Sequence, residues 1–187
     1  MISRISLTSL SISLFSLQAA SAVPSTIEEI RAEYQTVVEE RQTSHEIKFN
    51  REEVEGTLTL RYKGGAIRAA VAGYGHEHGG VTISAYYKDG APFFVLIEEG
   101  SWKFVGDGKT EDSVRETRFY IVGGTAIRVL EKSYKGGDER ELKLAADKAV
   151  NKPVTPEEAE LSRVLRVVRE MVAVRDGKQA AAVIFAE

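Results

Sequence analysis

The sequence contains no cysteine. That absence excludes a disulfide framework, a thiolate nucleophile and a lipid-modified cysteine, so the core alone must hold the fold. A chain of 187 residues with 43% apolar content can bury enough surface to do so. Glycosylation sequons are missing too: Asn50 precedes Arg51-Glu52, and Asn151 precedes Lys152-Pro153. Histidine is scarce, at three residues, and Trp102 is the only tryptophan. No Gly-x-Ser-x-Gly elbow occurs, which leaves little for nucleophilic catalysis to use. Neither sign of charge dominates. Twenty-five Lys and Arg face 28 Asp and Glu, a formal charge of -3, with no global drive toward nucleic acid or an anionic membrane.

Long apolar runs are absent except near the N-terminus. Met1 and Arg4 make a short positive start, and a serine-laced apolar run follows from Ile5 to Leu17. Ala20-Ser21-Ala22 then places small residues where a signal peptidase reads them. The run is shorter than the ~20 apolar residues a spanning helix needs. Residues 1–22 are therefore expected to be a secretory signal peptide, cleaved before Val23. The remaining 23–187 are expected to form one globular domain, periplasmic or secreted. Only Arg4 is charged in the leader, so its removal takes the net charge from -3 to -4. Neither stable membrane insertion nor a nucleic-acid partner is expected.

Ser25-Thr26-Ile27-Glu28 reads as a capping box, and Ile27, Ile30, Tyr34, Val37 and Val38 make one helical stripe. A helix from about Thr26 to Glu40 follows. From His45 to Tyr134 the period changes to two. Val54, Leu58, Leu60 and Tyr62 alternate with Glu55, Thr57, Thr59 and Arg61, and Val81, Ile83, Ala85 and Tyr87 with Thr82, Ser84, Tyr86 and Lys88. These are half-buried strands. Phe93 to Ile97 is apolar throughout, which predicts a central strand covered on both faces. Gly64-Gly65, Asp89-Gly90 and Gly123-Gly124 sit between strand-like runs as two-residue hairpin turns. Centring hairpins there pairs Tyr62 with Ile67, Tyr86 with Phe93 and Tyr120 with Ile127, and sets Arg61 against Arg68. A further turn is expected at Glu99-Gly100, with Trp102 opposite Ile97. Thr155-Pro156-Glu157-Glu158 starts a second helix whose stripe runs from Leu161 to Val172, with Asp176-Gly177 as its stop. The apolar tail from Ala180 to Phe185 should dock on the body, and 141–149 fits either a strand or a helix. The fold class is α+β: an antiparallel β-meander of about seven or eight strands with an N-terminal and a C-terminal helix.

The run Glu116-Thr117-Arg118-Phe119-Tyr120-Ile121 through Arg128-Val129-Leu130 resembles a hairpin of uncharacterised bacterial secreted proteins with a leading helix and a β-meander. The resemblance covers about half the chain and implies the same fold. It brings no activity with it.

Chemistry concentrates at Gly73-Tyr74-Gly75-His76-Glu77-His78-Gly79-Gly80. If 76–78 is extended, both imidazoles project from one face, spaced to share a metal. Glu98 or Glu99, expected at the same end of the sheet, is the natural third ligand, with Glu99 chosen. The bland alternative is a solvated turn that happens to hold two histidines. Lys103 to Thr110 lacks the first glycine of a phosphate loop, and Asp107 to Asp112 lacks the alternate acidic ligands of a calcium loop. The acidic doublets point apart on strands and read as surface. Arg61, Arg68, Arg118 and Arg128 recur on the hairpins and are expected to pair internally, with Glu116 or Glu131 as partners. The leading functional reading is a non-enzymatic extracytoplasmic domain that binds an unidentified protein or small ligand, without a cofactor. The alternatives are a divalent-metal protein or hydrolase at His76, His78 and Glu99, and a structural envelope component.

Overall fold

A computed structural model describes residues 22–186. The expected leader, Ala22 apart, lies outside them. Helix α1 (Ile27–Glu39) leads into β1 (Thr43–Arg51), β2 (Val54–Lys63), β3 (Ala66–His76), β4 (Gly79–Lys88), β5 (Ala91–Gly106), β6 (Lys109–Val122) and β7 (Thr125–Gly136). Helix α2 (Glu139–Lys148), the two-residue strand β8 (Lys152–Pro153), α3 (Glu158–Glu170), a 3-10 turn and α4 (Gly177–Ile184) complete the chain. All eight strands form one antiparallel sheet in sequence order, the α+β meander that the alternation predicts. No helix among the described residues is long and apolar enough to cross a membrane.

The turns form where the sequence places them. Gly64-Gly65, Asp89-Gly90 and Gly123-Gly124 all adopt positive φ at both positions, the mirror-image turn whose twist matches the flanking strands. Beside each of the three, one strand bulges, and the register slips by one. Tyr62 meets Ile67 as expected, but Tyr86 meets Phe94 instead of Phe93, and Tyr120 meets Arg128 instead of Ile127. The first slip also removes the like-charge clash: Arg61 faces Ala69, not Arg68. A bulge adds one residue to one strand only, and side-chain alternation does not reveal it.

Both faces of the sheet are covered at the end that carries these turns. On one face α1 packs Ile30 and Val37 onto Ala69, Tyr86, Phe93, Phe94, Tyr120 and Leu130. On the other, Val164, Val167 and Val168 of α3 and Ala180 and Ile184 of α4 close over Leu58, Leu60, Ala85, Tyr87, Val95 and Phe119. Phe93, Phe94 and Val95 are buried between the two layers, as their apolar run requires. Arg68 fastens α1 to the sheet by donating to Glu33 (2.6 Å), Glu40 (2.8 Å) and the Tyr87 carbonyl (3.0 Å).

Four local expectations are corrected. Glu99-Gly100 is not a turn: it lies inside the 16-residue β5, so Trp102 pairs with Asp112 instead of Ile97. The N-cap of α1 is Thr26, one residue later than expected, with Glu29 closing the capping box. Helix α3 begins after Glu157 with no side-chain cap, so Thr155 and Pro156 precede it. Asp176-Gly177 starts a helix instead of only ending one, because the Asp176 carboxylate accepts from the Gln179 amide. The segment left open at 141–149 is helical as far as Lys148, in α2, with Ala149 as its C-cap.

Candidate functional site

The two halves of helix α3 are held differently on the sheet. Its C-terminal half is tied down: the Tyr87 hydroxyl donates to the Val168 carbonyl at 2.6 Å, and Arg169 donates to the Gly124 carbonyl at 3.1 Å. Its uncapped N-terminal half stands over a cleft of about 60 Å³.

Strand register explains what lines that cleft. One cross-strand row runs Ile83–Ile97–Thr117, and the next runs Tyr74–Val81–Glu99–Arg115. Side chains in a row share a face. The first row gives an apolar floor, which Val164 and Val167 of α3 and Ile184 of α4 cover. The second gives the mouth, which α3 completes with Glu160 and Arg163, one turn apart on its exposed surface. Arg115 Nε donates to Glu99 at 2.7 Å, and that bond raises the Arg115 pKa. Burial, reinforced by Glu99 and opposed by Arg163, pushes the Tyr74 phenol up. Tyr74 is therefore neutral at physiological pH and able to donate or accept.

Beyond the mouth the same face opens into a shallow groove lined by His76, Ser101, Ser113, Ser133 and Lys135, and it shares Val81, Glu99 and Arg115 with the cleft or its mouth. The structure thus brings His76 and Glu99 to one groove, with β4 between their strands. His78 goes elsewhere. Residues 77 and 78 form the turn between β3 and β4 instead of extending, and the His78 ring meets Trp102 edge-on at 4.9 Å. Among the described residues, no group of three or more His, Asp or Glu is arranged to hold a metal ion.

Glu98 points to the opposite face, in the row Thr82–Glu98–Glu116–Lys132. Burial and the neighbouring Glu116 carboxylate raise its pKa. Glu116, itself buried, accepts from Lys132 at 2.9 Å and from Arg118. Burial first, then Glu116, pushes Tyr134 up to about 12. This network satisfies Arg118 as the sequence suggested. Arg68 finds Glu33 and Glu40 instead of Glu116 or Glu131. Sequence reasoning did not single out Glu160 and Arg163, whose only local signal is their spacing of three on the polar side of α3.

No protein-family model, no curated protein and no solved structure matches the chain. What the cleft can do rests on its own geometry.

Proposed function

We propose that this protein is a non-enzymatic extracytoplasmic binding domain that holds a small ligand between α3 and the sheet. The observation that carries the reading is the cleft itself. Its apolar floor of Ile83 and Ile97 is closed over by Val164 and Val167 of a helix, and both signs of charge and one neutral phenol converge at its mouth. Apolar walls with a few convergent polar groups are the usual composition of a small-molecule site. The polar groups are suited to recognition: Glu99 and Arg115 neutralise one another, and Tyr74 stays protonated. The leader-like residues 1–22 support the extracytoplasmic part of the reading.

The test is a ¹⁵N–¹H NMR titration of residues 23–187 with five pools: amino acids, short peptides, oligosaccharides, nucleotides and fatty acids. At least one pool is expected to move the amides of Val81, Ile83, Ile97 and Val164 together. If no pool moves them, the proposal is wrong. Intact mass of the exported protein is expected to begin at Val23, and retention of Met1 would remove the extracytoplasmic part.

A further inference from the structure

We infer that the ligand is a free α-amino acid with a short aliphatic side chain, an inference that rests on the binding reading above. Volume sets the first limit. A protein cavity of about 150 Å³ holds benzene, which is roughly 25 Å³ per carbon. The cleft, at about 60 Å³, then takes at most two or three carbons. That suits the side chain of alanine, α-aminobutyrate or valine. An aromatic ring or a fatty-acid chain is too large.

Charge sets the second limit. An α-amino acid carries an ammonium and a carboxylate on the same carbon as its side chain, so it needs opposite charges side by side at the rim of an apolar slot. Glu160 and Arg163 supply them from α3, with Glu99 across the mouth on β5. Arg163 lies close enough to the Tyr74 phenol to lower its pKa against burial, and it has no ion pair among the described residues. Its guanidinium can therefore take a carboxylate in bidentate fashion, with the Tyr74 hydroxyl as a further donor. The ammonium would face Glu160, with Glu99 beside it already paired to Arg115. An internal peptide segment offers neither terminal charge, and the backbone groups of these central strands are already committed to the sheet ladder, so an added strand finds no free edge here.

Calorimetry and the same NMR amides test this with L-valine, L-alanine, L-phenylalanine, N-acetyl-L-valine and L-valinamide as probes. L-valine or L-alanine is expected to bind. Blocking either terminus is expected to weaken binding at least tenfold, and L-phenylalanine is expected to bind no better than the blocked forms. Arg163→Gln and Glu160→Gln change exposed side chains, so each should keep the wild-type melting temperature while losing at least tenfold in affinity for L-valine. If N-acetyl-L-valine binds as tightly as L-valine, or if Arg163→Gln leaves the affinity unchanged, the inference is overturned. If another pool moves the cleft amides and amino acids do not, the inference falls while the binding reading stands. If no pool moves them, both fall.

Discussion

Replacing Arg68 with methionine should loosen α1 from the sheet, with an effect that depends on pH in a defined way. The Arg68 side chain is 12% exposed, and its partners Glu33 and Glu40 are 13% and 6% exposed. Removing one partner of a buried pair costs about 3–5 kcal/mol because it strands the remaining charge. Here each carboxylate keeps a second cation, Lys88 on Glu33 and Lys63 on Glu40, so the expected loss is smaller, about 2–3 kcal/mol. For a domain of this size that corresponds to a melting temperature lower by roughly 5–10 °C. Burial by itself raises both carboxyl pKa values. The bonds from Lys88 and Arg68 to Glu33, and from Lys63 and Arg68 to Glu40, outweigh burial and hold both below 4.5. A carboxyl whose folded pKa is depressed stabilises the fold above its unfolded pKa, and that stabilisation is lost as pH falls through the folded value. The gap between wild type and Arg68→Met should therefore be full at pH 7 and shrink below about pH 4.5. Urea denaturation followed by circular dichroism at pH 7, 5, 4 and 3 measures it. A gap within about 0.5 kcal/mol at pH 7, or one that does not change down to pH 3, would refute the reasoning.

Three further outcomes follow from particular contacts. Tyr87→Phe removes the buried hydroxyl that donates to the Val168 carbonyl, so urea titration should show a loss of about 1–2 kcal/mol. A Cβ at Gly177 would fall 2.2 Å from the Lys48 carbonyl oxygen; Gly177→Ala should therefore lift α4 and speed amide exchange over 178–184, with a cost of about 1–3 kcal/mol. Zinc content should be equal in the wild type and a His76→Ala/His78→Ala variant, because His78 faces Trp102 and not Glu99. An excess in the wild type that the double variant loses would point to a metal at this loop.

Alternation of side chains and paired turn residues were enough to place the strands. Two consecutive positive φ values suit few residues besides Gly, Asn and Asp, so Gly64-Gly65, Asp89-Gly90 and Gly123-Gly124 declare themselves locally. The same local logic failed at Glu99-Gly100, since a glycine inside a long strand reads like a turn until its neighbours are known. It also failed at the bulges, each of which shifts pairing on only one side. Of the candidate site, Glu99 and His76 were recognisable as polar residues near one end of the sheet. Their separation from His78 was not, because it depends on which way a two-residue turn bends.

The chain's local chemistry determined an antiparallel meander, a capped leading helix and a buried central strand at Phe93–Val95, because period, turn geometry and burial act within a few residues of each other. The placement of α3 on the sheet is different in kind. It is set by anchors far apart in sequence, Tyr87 on Val168 and Gly124 on Arg169, which hold one half of the helix and leave the other above an open floor. The meeting of Arg163 and Glu160 with Glu99 therefore belongs to the tertiary structure: packing brings together residues about 60 positions apart, and no local pattern encodes that distance.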